Sequence, residues 1–478
     1  MANYLGVDIG TSGCKAVVFD ANGRQVGQAG REYDLHFTPD GGAELNSDEV
    51  MEKCLAVIAE AKQKAGGAVR AMGVSSQGEA FTAIGRDGRA LCNGMVSSDV
   101  RAERYAREWP AQFGEEKLYQ ITGHTAHPMF TIFKLLWLRD NKPDVWKKAD
   151  KFLCFEDLLH HRLGLEPAIG WPLAGRTMLF DVRRHEWSAE ILKAVGLPAG
   201  KLARPLAAGS VVGKTKDGML VVTGGHDQPC GALGAGVTQA GVAMYATGTV
   251  ECITPAFANA VFTDELRRSN LCTYDHTAPG MYATVAFSLT GGNILKWFRD
   301  EFAPGQSYEE LLKTAAAEPT KLLVLPYWTP SGTPHFDVRT PGAILGLRLS
   351  TKRGEILRAL LEGVAFEMRL NLDILDRCGC RIDELRAIGG GAKSAWWTQL
   401  KVDVLGKPIT TLNVTEAGCL GVAMLACAAD TGESLASLAK RWVKPVARVT
   451  PQAAASEFYA ERFALYRELY PAFKRISD

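Results

Sequence analysis

The sequence predicts an α/β protein made of two similar domains that face one cleft. Three observations carry this reading. At 478 residues the chain exceeds what one ordinary hydrophobic core fills. Short apolar runs alternate with amphipathic segments as far as about residue 236, the pattern of an α/β domain with a hairpin at its front. Near residue 240 the pattern restarts, and a strand, a small polar turn containing Gly-Thr and a returning strand echo the opening of the chain. The expected domains are 1–240 and 241–478. No low-complexity segment separates them, so the joint reads as a hinge rather than a tether.

The elements follow in order. A first strand is read over 4–10, a turn at Thr11, Ser12 and Gly13, a second strand over 14–20, and a tight hairpin at Asn22-Gly23. Ser47 is the expected N-cap of an amphipathic helix over 48–64, which Gly66 and Gly67 end. A strand over 69–75 follows. A further strand over 219–223 runs into a glycine-rich turn, Gly224-Gly225-His226-Asp227-Gln228, with a tightly packed helix opening near 229–235. In the second half, strands over 242–246 and 250–254 flank Thr247-Gly248-Thr249. The stretch from Pro451 is helical in pattern, with Phe458, Phe463, Leu465 and Tyr466 available for packing.

Composition excludes several classes of function. Lys and Arg total 54 against 53 acidic residues, a net charge of +1, without the basic face or tail of a nucleic-acid or membrane-surface protein. The 11 cysteines are scattered with no paired zinc spacing, which suits buried free thiols in a reducing compartment. The opening residues lack a basic n-region and a long apolar stretch, and no run approaches the roughly 20 apolar residues that span a bilayer, so the expected location is the cytoplasm.

The most informative segment is the turn at Asp227. A carboxylate at the carboxyl end of a strand, beside a helix N-terminus, stands where open α/β sheets place their ligands and where exposed amides attract phosphate. Beside a phosphate it is badly placed to bind that group, but well placed to take a proton from a hydroxyl attacking it. Alternatively Asp227 only caps the helix. Asp8 and Lys15 bracket the turn Gly10-Thr11-Ser12-Gly13, whose amides and hydroxyls can cradle phosphate oxygens while Asp8 holds a hydrated Mg²⁺. The same residues also make an ordinary hairpin. Thr247-Gly248-Thr249 becomes a second phosphate clamp if it faces the first across a cleft. Gly389, Gly390 and Gly391, with Ser394 just beyond, remove every side chain over which a flat ring such as adenine could lie. Gln77, Glu79, Asp99 and Arg101 supply short-range hydrogen-bonding groups suited to sugar hydroxyls. In the helical stretch 129–141, Phe133, Leu136 and Trp137 read as core. Gly213-Lys214-Thr215 fails as a P-loop because Ala208 stands where its first glycine belongs, and His124, His127, His160 and His161 lack partners at metal-ligand spacing.

Together these motifs resemble the FGGY family of carbohydrate kinases, within the actin/hexokinase-like ATPase fold of ribonuclease H-like domains. The likeness runs over about residues 3–430. Residues 129–141 fit the family's first signature, and 342–347 followed by 355–362 fit the second. Gly225-His226-Asp227-Gln228 resembles the catalytic loop, and Gly389 to Ser394 the adenosine loop. The resemblance implies that Asp227 is the general base toward the γ-phosphate of ATP and that Asp8, with Asp227, positions Mg²⁺. It also implies that Thr11 and Thr249 lie near the phosphates, Gly291 near the α-phosphate, and Gly390 and Gly391 beneath the adenine. The expected sugar-side residues are Gln77, Gly78, Glu79, Asp99, Met129 and Gln228. Members similar to xylulokinase carry Met-His where Gly78 and Glu79 stand. Glycerol kinases carry Arg-Glu there and a tyrosine in place of Met129, and most members have tryptophan at Ser97. Three lost large groups predict a wider pocket and a ketopentose or related sugar of four to six carbons. A polyol kinase, an actin- or chaperone-like scaffold and a non-catalytic sugar sensor are the competing readings. Homodimers are common among similar proteins, which makes a homodimer the assembly to test.

Overall fold

The computed structural model describes residues 2–477, so the outermost ends of the two expected domains, Met1 and Asp478, lie outside the described residues. Asn3–Ile9 is buried along nearly its whole length and forms the centre of a six-stranded sheet. It pairs antiparallel with Gly13–Asp20, which pairs with Gln25–Glu32, and parallel with Val69–Ser76 on its other side. Leu220–His226 continues the parallel run, and Val211–Lys214 closes that edge antiparallel. The side chains of Asn3–Ile9 alternate between two packed faces: Leu5, Val7 and Ile9 enter the first core, and Tyr4 on the other face packs in a second cluster.

The second half repeats this order strand for strand. Val242–Thr247 pairs antiparallel with Glu251–Phe257, which pairs with Ala286–Ser288, and parallel with Glu384–Ile388. Ile409–Leu412 and the antiparallel edge strand Pro445–Val449 complete the match. The weak echo in sequence is therefore a full repeat in topology. Two differences remain: the second sheet carries two further short strands, Tyr274–Asp275 and Tyr282–Ala283, beside Glu251–Phe257, and the edge strand precedes its partner in the first half and follows it in the second.

Two helices exchange between the halves. Asp227–Gly234 leaves the first sheet, yet its Ala232 clusters with Val242, Met244 and Ala256 of the second. Ala417–Thr431 leaves the second sheet and packs against Tyr4, Val17 and Val222 of the first. The two helices cross where only glycine fits. A Cβ at Gly421 would overlap the Cys230 carbonyl oxygen, and one at Gly234 would overlap that of Ala417.

Local departures have physical reasons. The first helix runs Ser47–Ala65 and its N-cap is Asn46, whose side chain accepts from the Glu49 amide at 3.2 Å; Ser47 is one residue too late and fully buried. Asp48 and Glu49 in its first turn and Lys62 and Lys64 in its last complement the helix dipole, and Gly66 ends it at φ 63°. The C-terminal helices Ala453–Tyr466 and Leu469–Ser477 lie against Arg353–Arg377, where Tyr459 and Tyr466 donate to Glu362 and Glu367. Phe463 and Tyr466 pack as expected, but Leu465 faces solvent. No helix among the described residues is long and apolar enough to cross a membrane.

Candidate active site

The first turn is built for rigidity. The Gly10 amide donates to Gly13 O at 2.9 Å, and Tyr33 Oη donates to Gly10 O at 2.6 Å. Gln77 braces the same turn, its Nε2 donating to Gly10 O at 3.0 Å and its Oε1 accepting from Thr11 Oγ1 at 3.2 Å. Both ends of that amide are thus engaged with this turn rather than held free. Ser12 is exposed, and Lys15 pairs with Glu416 at 3.0 Å. Asp8 accepts from Ser75 Oγ at 2.6 Å, and burial, with Glu416 adding to it, raises its pKa.

Asp227 ends up differently from either simple expectation. The strand runs through both glycines to His226, with a register irregularity between Val222 and Gly225, and Gly225 takes φ 147°. There is no glycine-rich turn. Asp227 is the first residue of the helix Asp227–Gly234, and the N-cap is His226, with no side-chain capping bond. The capping alternative therefore fails. The Asp227 side chain is 37% exposed. Burial first, then the charges of Asp8 and Glu79, push its pKa up to about 7. His226 Nε2 lies 3.2 Å from its Oδ1, and Cys252 Sγ donates to the neighbouring Gln228 at 3.2 Å.

Beside Asp227 the loop at Gly78 and Glu79 is gathered by buried charge. Glu79 adopts φ 62° and is buried; Arg176 Nε donates to its Oε1 at 2.5 Å. Lys134 Nζ donates to the carbonyls of Glu79 at 2.9 Å and Val96 at 3.0 Å, and Thr131 Oγ1 to that of Glu79 at 2.8 Å. Burial pulls the Lys134 pKa down to about 8. Asp99 is fully buried, with Arg101 and the Ala43 amide on its oxygens, so it holds the Arg101 fork in place. Arg101 in turn lies over the Trp137 ring at 4.3 Å. Met129 is half-buried beside the first core. The expected extra width at Gly78 is not there. A Cβ at that position would stand 2.8 Å from the His226 ring and 3.7 Å from Arg176 Nε, so the room is already filled.

The second half contributes a cavity of about 1030 Å³ lined by Gly248, Thr249, Gly390, Gly391 and Ser394, with Tyr308 and Trp396 among its apolar walls. Its floor is stapled together, since the Gly292 amide donates to Gly248 O at 2.8 Å and the Asn293 amide to Thr249 O at 3.1 Å. Gly291 precedes that helix where a Cβ would stand 2.8 Å from the Val250 backbone. Thr247 Oγ1 donates to Ile388 O at 3.1 Å, and Ser394 caps the next helix by accepting from the Trp397 amide at 3.2 Å. Gly389 takes φ 93° beneath Thr247. Behind the cavity the buried pair Lys401–Glu251 ties the helix Ala395–Leu405 to the returning strand.

A model for the FGGY family of carbohydrate kinases matches on both sides of this cleft, its N-terminal domain at residues 3–234 and its C-terminal domain at 241–429. The chain belongs to that family. A xylulose kinase of Bacillus subtilis (strain 168) is 27% identical, over 100% of this chain and 98% of its own length. A glycerol kinase of Methylibium petroleiphilum is 30% identical, over 89% of this chain and 90% of its own. The crystal structure of a xyloylose kinase from Brucella ovis has a TM-score of 0.91 at 26% identity, over 99% of this chain and 100% of that one. The fold is accordingly the actin/hexokinase-like ATPase fold, and the chain is a phosphotransferase acting on a sugar hydroxyl. Sugar kinases of this family use ATP. The scaffold and sensor readings give way.

In this FGGY kinase the sequence reading located Asp8, Asp227, Glu79 and the glycine loops but not the residues that fix them. Arg176 was missed, since nothing near it marks a partner 97 residues away. Tyr274, hydrogen-bonded to His226 at 2.8 Å, was missed for the same reason. Lys134 stood within the first signature without a role.

Proposed function

We propose that this kinase transfers the γ-phosphate of ATP to a hydroxyl of a ketopentose or similar sugar of four to six carbons, in the manner of a xylulokinase. The observation that carries the reading is Asp227: a part-exposed carboxylate pushed up to about 7, with the phosphate turn at Asp8 on one side and the Glu79–Arg176 pair on the other. A base with a pKa near the working pH accepts a proton most effectively. The sugar hydroxyl gives its proton to Asp227 as its oxygen attacks the γ-phosphate, and the leaving diphosphate stays against Thr249 and the 291–293 turn. Gly390 and Gly391 lie beneath the adenine. Closing the halves shuts water out of the transfer.

The Mg²⁺ that accompanies ATP fits this site. The charge of Asp8 adds to the cost of ionising Asp227, and hard carboxylate oxygens are the donors Mg²⁺ takes when it keeps several waters and substrate phosphates. When bound it neutralises phosphate charge. The reading also takes 1–240 as the sugar-side domain and 241–478 as the nucleotide-side domain. It takes the cytoplasm as the location, in keeping with 11 free cysteines. Its partners are the sugar and ATP, without nucleic acid or membrane, and a homodimer is the assembly it proposes.

A polyol kinase is the second reading. Arg176 brings a guanidinium to Glu79 after all, restoring from another position the Arg-Glu pairing that Gly78 removed, and the glycerol kinase relative is the more identical of the two curated relatives compared above. A coupled ADP-release assay with Mg-ATP across xylulose, ribulose, fuculose, rhamnulose, erythritol, ribitol, gluconate and glycerol separates the two. Stimulation by a pentulose or a close relative is expected. Phosphorylation of glycerol with no activity on any pentulose would replace the first reading by the second.

A further inference from the structure

We infer that Glu156 is a positioning residue whose buried carboxyl group ties the strand leading to Asp227 to the strand leading to Arg176, and so sets the spacing between the base and the sugar-side pair. This rests on Asp227 being the base. Glu156 is fully buried in the short helix Phe155–Arg162, and its two oxygens serve two different strands. Oε1 accepts from the Gly224 amide at 2.7 Å, and Oε2 accepts from the Gly170 amide at 3.1 Å. Gly224 stands just ahead of Asp227, where the register with Val69–Ser76 passes over Thr223 and Gly224. A buried amide in such an irregularity still needs an acceptor, and Glu156 supplies it from a neighbouring helix. Gly170 ends the strand Ala168–Gly170 and N-caps the helix Trp171–Gly175, whose C-cap is Arg176. Arg176 in turn donates to Glu79.

Three further observations separate this from a carboxyl group that merely fills the core. The two strands meet backbone to backbone around Glu156: a Cβ at Gly170 would stand 2.5 Å from the Gly224 carbonyl oxygen, and one at Gly225 would stand 2.8 Å from Pro172 Cβ. A shift in either strand is therefore passed to the other. Burying a carboxyl group is unfavourable, and an apolar side chain would fill the same volume without that penalty, so the two bonds are what distinguish Glu156 here. The adjacent Asp157 supplies the contrast. It is equally buried, but its Oδ2 accepts from the Cys154 amide at 3.1 Å, at the N-cap of its own helix, and it bonds to neither strand. One carboxyl group ends a helix, and the other spans the site.

Steady-state kinetics and thermal unfolding of Glu156→Gln, Glu156→Asp, Asp157→Asn and Asp227→Asn test this, using whichever sugar the panel identifies. Glu156→Gln keeps the shape but has one acceptor oxygen, so one of the two strand amides meets an NH₂ group. It should lower kcat/KM for the sugar by roughly tenfold to a hundredfold, the range for a small misplacement of reacting groups. KM for ATP should stay unchanged, because the large cavity belongs to the other half. Glu156→Asp, one methylene too short to span both amides, should change the sugar kinetics in the same direction. Asp157→Asn should lower the melting temperature and leave kcat and both KM values as they are. Wild-type kcat and sugar KM in folded Glu156→Gln would overturn the proposal. So would an equal kinetic loss in Asp157→Asn, a parallel rise in KM for ATP, or failure of both Glu156 variants to fold, which would make Glu156 a folding residue. Asp227→Asn distinguishes the two levels. If it keeps turnover, the base reading fails and takes the positioning with it. If it is inactive while Glu156→Gln turns over normally, only the positioning fails.

Discussion

Asp227 ionises in a place that resists charge. Burial costs its carboxylate the solvation that water would give, and Asp8 and Glu79 add repulsion, so its pKa rises to about 7. A base works only when ionised, so the sign is fixed: kcat/KM for the sugar should rise with pH through about 7 and level off above it. A profile flat from pH 5.5 to 8 would contradict the assignment. The sequence made Asp227, Glu79, Gly390 and Gly391 legible because each sits in a short motif whose chemistry is local. Their partners were not legible. Arg176 meets Glu79 across 97 residues and Tyr274 meets His226 across 48, and such contacts exist only once the chain is folded. Gly78 shows the same limit from the other side. Its missing side chain read as added width, whereas the His226 ring takes that space.

Among the elements, the crossing of Asp227–Gly234 with Ala417–Thr431 decides how Asp227, the proposed base, is carried. Both helices leave parallel strands of their own half and pack on the other half's sheet, so the catalytic strand end is coupled to both sheets through a contact between backbones. Gly421→Ala should destabilise the protein by about 1–3 kcal/mol or more, the cost of forcing atoms into a filled core. Gly200→Ala, at a position with nothing within 4 Å of the new methyl group, should stay within about 0.5 kcal/mol of wild type. Urea-denaturation midpoints would measure both, and equal midpoints would remove the crossing as a constraint. Helix and strand periodicity exposed in advance the strands and helices that flank the site. The strand through Gly224 and Gly225 was misread as a turn because two glycines carry no apolar pattern, and what holds it lies far off in the chain: pairing of Gly225 and His226 with Val69–Ser76, and Glu156 Oε1 accepting from the Gly224 amide at 2.7 Å. Asn46 and Ser47 are both good capping residues, and the sequence alone gave no reason to prefer the first.

Across the whole molecule, the two halves divide the chemistry. The large cavity is lined wholly by residues from Gly248 to Trp397, whereas Asp8, Glu79, Arg176 and Asp227 belong to the first half. On the proposed reading each half meets one reactant, so transfer requires the halves to face one another across the hinge, and the repeated sheets make that arrangement nearly symmetric. Asp227→Asn, measured for turnover by ADP release and for nucleotide affinity by calorimetry, tests this division most directly. The expected result is turnover lowered by roughly two or more orders of magnitude, the contribution of a positioned general base, with ATP bound within a few-fold of wild type. Turnover at the wild-type rate would contradict it, and Asp227 would leave the mechanism.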